Sequence, residues 1–305
     1  MKLSGAEIIV ESLKKEKVEY IFGYPGAATI PLYDVLYDCT ELKHILVRHE
    51  QGAAHAADGY ARATGKVGVC LATSGPGAAN LVTGIANAYM DSVPMVVITG
   101  QVVTSGLGKD TFQEVDMFSI TFPITKHNYL VKDTKDLSRI FKEAFHLAST
   151  GRPGPVLIDI PKDVMQNKVE FSYPETVKII GYKPTYQGHL AQIKKIAKVI
   201  NQAKKPDIIA GGGVINSSAQ QELFKLTETL NIPVATTLMG LGSFPESHQL
   251  SLGMLGMHGT AYANYAINDC DLVLALGTRF SDRSTGAVQH FAPKAEIIHV
   301  DIDPA

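Results

Sequence analysis

The chain has 305 residues, 45% of them hydrophobic and 19% charged, and a formal net charge of -2 from 28 basic and 30 acidic side chains. That length suits two domains of ordinary size, and that balance suits packed cores rather than a disordered or fibrous chain. No basic patch offers itself to nucleic acid, no run of like charge forms a tail, and apolar runs such as Pro94–Ile98 and Leu272–Leu276 are far too short to span a bilayer.

The opening MKLSGAEIIVESLKKEK predicts an amphipathic helix, with Leu3, Ala6, Ile9, Val10 and Leu13 at helical spacing. It lacks the apolar core and small-residue cleavage site of a secretory signal. Strands are expected at Tyr20–Phe22, Ile45–Val47, Val67–Ala72, Met95–Thr99 and Val156–Ile160. Helices are expected at about Gln51–Thr64, Ala78–Met90 and Lys135–Ser149. Such alternation predicts an α/β fold, a parallel sheet covered by helices. No Asn-Gly or Asp-Gly turn is placed to make antiparallel hairpins.

The first domain is expected to span 1–163. The polar segment 164–188, which carries Pro174 and Pro184, reads as a linker. A second α/β domain, 189–305, is expected from the helix His189–Gln202, the strand Asp207–Ala210, Gly211-Gly212-Gly213, a helix near Ala219–Leu230, and strands at Pro233–Ala235, Asp271–Ala275 and Glu296–Val300. Its last strand has no covering element after it, so this domain is expected to be incomplete. Cys39, Cys70 and Cys270 form no C-x-x-C pair and read as reduced, mostly buried thiols of a cytoplasmic protein.

Several phosphate motifs fail. Gly59 and Gly65-Lys66 have the wrong spacing for a nucleoside-triphosphate loop, and Val67 stands where Ser or Thr is needed. Gly211-Gly212-Gly213 follows a strand, but Asn216 occupies the third glycine position of G-x-G-x-x-G. No H-E-x-x-H or G-x-S-x-G occurs.

The informative stretch begins where the strand Ile45–Val47 ends: Arg48-His49-Glu50-Gln51-Gly52-Ala53-Ala54-His55. Ligands of open α/β sheets bind at the carboxyl ends of strands, so Glu50 is placed where chemistry is expected. A glutamate at a helix start also simply offsets the helix dipole. Three more strand ends carry ligand-friendly residues: Gly23-Tyr24-Pro25-Gly26-Ala27-Ala28, Thr73-Ser74-Gly75-Pro76-Gly77-Ala78-Ala79-Asn80, and Thr99-Gly100-Gln101. Together they deliver Gly, Pro, Thr and Glu to one edge of one sheet.

With these residues in view, the chain closely resembles the large catalytic subunit of the acetolactate (acetohydroxyacid) synthase family, thiamine-diphosphate enzymes. The matching stretches are FGYPGAA at 22–28, RHEQGAAHAADGYARATGKVGV at 48–69, ATSGPGAAN at 72–80, PMVVITGQV at 94–102, TFQEVD at 111–116, TGRPGPVLIDIPKDV at 150–164 and LGMHGTAYAN at 255–264. Their order and spacing are far more specific than any one of them. Pyruvate oxidases and benzoylformate-type decarboxylases share the fold and cofactor; glyoxylate carboligase is disfavoured because it lacks the glutamate seen here as Glu50.

The resemblance implies two parallel-sheet domains, one binding the aminopyrimidine of thiamine diphosphate and an incomplete Rossmann-like one binding FAD. The reaction implied is decarboxylation of pyruvate and ligation to a second 2-keto acid, pyruvate or 2-ketobutyrate, in branched-chain amino acid synthesis. By matching, Glu50 would hydrogen-bond the pyrimidine nitrogen N1′. Tyr24, Pro25, Thr73, Pro76, Asn80 and Gln113 would frame that ring. Gly26, Ala27, Phe112, Gln113 and Lys162 would form the wall beside the substrate. Phe112 taken alone reads equally as a core aromatic, and Lys162 as a solvated strand-end lysine. Many family members carry a second glycine where Ala27 stands.

The set implied for FAD is Arg152, Gly211, Gly212, Gly213, Asn216, Thr237, Leu238, Gly256, Met257, His258, Gly277, Thr278, Arg279, Arg283, Asp301 and Ile302. Without the resemblance, Gly211–Gly213 reads as a flexible loop and His258 as a structural histidine. Magnesium would sit in a third domain whose Gly-Asp-Gly segment these 305 residues lack. The resemblance further implies a homodimer or higher homo-oligomer with active sites between subunits, and a small regulatory subunit. This stretch alone is expected to be inactive; a binding fragment without turnover is the competing reading.

Overall fold

A computed structural model describes residues 1–304. The chain forms two compact units, 1–183 and 184–305.

The first unit holds eight strands: β1 (Lys2–Ser4), β2 (Tyr20–Gly23), β3 (Lys43–Leu46), β4 (Gly68–Ala72), β5 (Met95–Gln101), β6 (His127–Leu130), β7 (Pro155–Pro161) and β8 (Lys168–Glu170). Six form a parallel sheet in the order β3-β2-β4-β5-β7-β6. The central strands read as unbroken apolar runs because both faces are covered. Val69 and Leu71, Val96 and Ile98, and Val156, Ile158 and Ile160 pack on the side of the helices Gly5–Lys15, Ile30–Tyr37 and Leu137–Ser149. Cys70, Ala72, Met95, Val97 and Leu157 pack on the other side, against the helices Glu50–Thr64 and Val82–Met90. Each fully buried aliphatic side chain contributes roughly 1.5–3 kcal/mol, so this alternation pins the register.

The second layer is built of small residues. Ala53, Ala54, Ala57 and Ala61 are all buried, and an added methyl at Gly84 would come within 2.4 Å of the Ala54 Cβ. The helix Glu50–Thr64 therefore lies tight on its neighbours, which fixes where its first residue stands. It ends at Gly65, whose φ of +70° suits glycine at a helix C-terminus.

Several elements differ from expectation. The opening helix starts only at Gly5, where Ser4 and Glu7 form a reciprocal capping box; Lys2–Ser4 is instead β1, antiparallel to β8. The segment 164–183 packs with the first unit, burying Val164 and Met165. The helix expected at Ala78–Met90 is two helices, Pro76–Ala79 and Val82–Met90, with the break at Asn80-Leu81.

The second unit is a five-stranded parallel sheet of β9 (Pro206–Ala210), β10 (Val234–Thr236), β11 (Ser251–Met254), β12 (Leu272–Leu276) and β13 (Glu296–Val300), in the order β11-β10-β9-β12-β13. Ile209, Ala235, Val273 and Ala275 pack on one face with the helix Ala261–Asp269. Ile208, Ala210, Val234 and Leu274 pack on the other with the helix Gln220–Leu230. Both units are thus parallel α/β layers, as the alternation of elements predicts.

Candidate active site

In the first unit the strand order reverses direction at β2 and β4, the place where open α/β sheets leave a crevice. Glu50 is the first residue of its helix; the His49 Nδ1 caps that helix by accepting the Gln51 N–H at 3.1 Å. The Glu50 carboxylate is half-buried, and its Oε2 accepts from Asn80 Nδ2 at 3.0 Å. Its Oε1 faces Gly77, where a methyl would stand 3.1 Å from that oxygen and 2.7 Å from Thr73 Cγ2. Any side chain at Gly77 would fill the space beside the carboxylate.

The neighbouring loops close on the same spot. Thr73 Oγ1 accepts the Ala28 N–H at 3.3 Å, and a methyl at Gly26 would come within 2.5 Å of the Thr73 side chain. Gly75, at φ +60°, packs on the main chain of Gln113, where a methyl would meet the carbonyl oxygen at 2.5 Å. Gln113 itself has φ +59°, a conformation that L side chains rarely adopt. The structure therefore brings Gly26, Glu50, Thr73, Asn80 and Gln113 together from segments following β2, β3, β4 and β5.

Tyr24, Pro25, Ala27 and Pro76 lie on the same loops with exposed side chains. Phe112 is 86% exposed, which rules out the core-aromatic reading. Lys162, half-buried, directly follows β7 and so stands at the same carboxyl edge. Arg152, expected near FAD rather than here, lies elsewhere on the unit. It precedes β7 at the opposite edge, where its Nε donates to Ser92 Oγ at 2.8 Å.

Two polar groups were not legible in the sequence. The Tyr33 hydroxyl lies 3.2 Å from His44 Nε2, with the rings edge to face. Burial raises the Tyr33 phenol above its ordinary range and the Glu50 charge adds to this, while burial lowers the His44 imidazole. At the ends of β5 and β7, the buried Asp159 accepts from Thr99 Oγ1 at 2.7 Å and from Gln101 Nε2 at 2.9 Å. No local pattern marks either group.

In the second unit, the residues expected near FAD follow the carboxyl ends of all five strands. Gly211, Gly212, Gly213 and Asn216 follow β9, Thr237 and Leu238 follow β10, and Gly256, Met257 and His258 follow β11. Gly277, Thr278, Arg279 and Arg283 follow β12, and Asp301 and Ile302 follow β13. The glycines have a structural reason of their own. A methyl at Gly211 would meet the Gly277 carbonyl at 2.2 Å and one at Gly213 the Gly277 Cα at 2.6 Å, so the ends of β9 and β12 touch backbone to backbone. Thr237 caps the following turn through Gly240 N–H at 3.1 Å, and Thr278 is buried. Leu238 and Met257 are 68% and 64% exposed, and His258, Asn216, Arg279 and Arg283 are exposed too. Arg283 Nη1 donates to Asp282 at 2.9 Å. Among the described residues no group of three or more His, Cys, Asp or Glu is placed to hold a metal ion, and no helix is long and apolar enough to cross a membrane.

Comparison with known proteins agrees with this division. Residues 3–120 match the family described as thiamine pyrophosphate enzyme, N-terminal TPP binding domain, and residues 193–305 match thiamine pyrophosphate enzyme, central domain. The chain is 56% identical over 306 residues to a probable acetolactate synthase large subunit of Methanocaldococcus jannaschii, covering 99% of this chain and 52% of that one. It is 56% identical over 312 residues to an acetolactate synthase of Arthrospira platensis, covering 100% and 54%. It is also 56% identical over 304 residues to an acetolactate synthase large subunit of Buchnera aphidicola, covering 99% and 53%. The chain spans about half the length of the curated relatives it matches. It belongs to the thiamine pyrophosphate enzymes, carrying their N-terminal binding domain and central domain, with acetolactate synthase large subunits as its homologues.

Proposed function

We propose that these residues form the pyrimidine-side half of an acetolactate synthase active site, in an enzyme that decarboxylates pyruvate and ligates the remainder to a second 2-keto acid. The observation that carries the reading is the Glu50 carboxylate. One oxygen is tied to Asn80, and the other faces a space kept open by Gly77 at the crevice of a parallel sheet. That donor set fits a flat nitrogen heterocycle. When bound, thiamine diphosphate supplies the electron sink that allows carbon dioxide to leave. The chain's part is to bind and orient. Asn80 fixes Glu50 Oε2, so that Oε1 holds a proton against the ring nitrogen of the pyrimidine. Thr73 and Gly26 set the loop spacing, and Tyr24, Pro25 and Pro76 bound the ring. Gln113 and Lys162 supply polar groups for the keto acid, with Phe112 and the Ala27 methyl as apolar wall.

FAD is proposed for the carboxyl edge of the second unit, where exposed Leu238 and Met257 offer apolar cover and Arg279 and Arg283 suit phosphate. Magnesium and the diphosphate are assigned to a domain outside these residues. A homo-oligomer, a small regulatory subunit, 2-ketobutyrate as alternative acceptor and a cytoplasmic, biosynthetic role complete the proposal; the relatives named as large subunits support the second of these.

The test uses the full-length gene product with pyruvate, thiamine diphosphate and magnesium. Acetolactate is the expected product, and Glu50→Gln is expected to lower kcat by roughly 10²–10⁴-fold. Near-normal turnover by Glu50→Gln would overturn the role of the carboxylate. Acetaldehyde or acetyl phosphate in place of acetolactate would point to a decarboxylase or oxidase of the same family.

A further inference from the structure

The segment between β5 and the helix Met117–Thr121 carries Phe112 and Gln113, and it is held by carboxylates. Asp163 accepts both the N–H of Thr104, at 2.9 Å, and its hydroxyl, at 2.5 Å. Glu114 accepts three backbone N–H groups, from Gly108, Lys109 and Thr111. The third brace is buried. Asp159, 1% exposed, stands on β7 opposite Thr99 in the ladder, on the sheet face that packs against the helix Glu50–Thr64. Its Oδ1 takes the Thr99 hydroxyl and its Oδ2 the Gln101 amide. The same Gln101 nitrogen donates to the Val115 carbonyl at 2.9 Å, and the Gln101 carbonyl accepts the Val102 N–H at 2.8 Å. Both ends of the segment therefore meet on one side chain, which one buried carboxylate orients.

We propose that Asp159, acting through Gln101, is a positioning residue for Gln113 at the cofactor-binding edge. The inference rests on the reading of that edge given above. Two features argue for it. A carboxylate buried with only neutral hydrogen-bonding partners is an expensive way to fill a core, and apolar residues of similar volume would fill it at lower cost. Burial pushes this carboxyl up to about 7. In addition, Gln113 is held at φ +59° with its main chain against Gly75, and such a conformation persists only where its surroundings over-determine it. The bonds of Gln101 to Val102 and Val115 supply that constraint two residues beyond Gln113.

The experiment compares wild type, Asp159→Asn and the double variant Asp159→Leu with Gln101→Leu. The apolar pair removes both partners together, so it protects folding while deleting the brace. Amide hydrogen exchange on the 305-residue chain needs no cofactor. Both variants are expected to raise exchange at 108–116 at least tenfold while β4 and β5 stay protected. In the full-length enzyme, both are expected to lower kcat/KM by about ten- to hundredfold, the loss of one charge-assisted anchor. The double variant should do so with an unchanged unfolding midpoint. Unchanged exchange at 108–116, or equal loosening of β4 and β5, overturns the proposal. So does a double variant that regains both stability and kcat/KM, because the network would then be structural only. If Glu50→Gln stays active, the functional reading fails instead. If Glu50→Gln is inactive while the Asp159 variants keep full kcat/KM, the reading stands and the positioning role falls.

Discussion

Asp207 offers a stability prediction that follows from a single buried group. It lies on β9, 4% exposed, and its Oδ1 has no hydrogen-bond partner. Burial pushes its carboxyl up to about 7 from an ordinary value near 3.8. The folded state thus binds a proton that the unfolded state releases between about pH 4 and pH 7. Stability tied to this group is present below about pH 4 and lost as pH rises through about 7. The full shift corresponds to about 4 kcal/mol, and relaxation with partial water access reduces it to about 2 kcal/mol at pH 8. Asp207→Asn removes the charge and keeps the shape, so the second unit is expected to gain about 2 kcal/mol at pH 8 and almost nothing at pH 3. Urea unfolding at both values measures this, with the difference between wild type and variant cancelling other titrating groups such as Asp159. Equal pH slopes for the two proteins would refute the argument.

Gly77→Ala is expected to abolish activity of the full-length enzyme. Its methyl would sit 3.1 Å from Glu50 Oε1 and 2.7 Å from Thr73 Cγ2, displacing the carboxylate at a stability cost of about 1–3 kcal/mol; kcat and a thermal melt read the two effects separately. The thiols should label in order of exposure. Cys39, half-buried, reacts first under native conditions, whereas Cys70, fully buried and pushed up to about 12, reacts only on unfolding. Mass spectrometry after a timed alkylation checks this.

The central strands were legible because burial on both faces writes an apolar run into β4, β5, β7 and β12. Three other strands are not, although the edge strands β3 and β13 are. β6 reads His-Asn-Tyr-Leu, β8 reads Lys-Val-Glu and β11 reads Ser-Leu-Gly-Met, none of which shows either an apolar run or clean alternation. The break at Asn80-Leu81 is not legible because Ala, Asn, Leu and Val keep a helical pattern through it. Glu50 is singled out by its place after a strand, but that place alone suits a helix-dipole role equally, and its assignment rests on the resemblance. The Asp159 network was invisible because Thr99, Gln101, Val115 and Asp159 meet only across strands. The glycines after β9 were expected to admit a dinucleotide, yet Gly211 and Gly213 are required first by their contact with Gly277.

The clasp between β1 and β8 bears on how the first unit is made. Lys2–Ser4 pairs with Lys168–Glu170, and Met1 O accepts the Phe171 N–H at 3.1 Å. Every strand of the six-stranded sheet precedes β8 in the chain, so on the ribosome the sheet can assemble while the first strand still waits for its mate. Long-range pairing of this kind is slow to form. Residues 2–4 are then among the last of the unit to be secured, and until residue 170 emerges they remain open to proteases and chaperones.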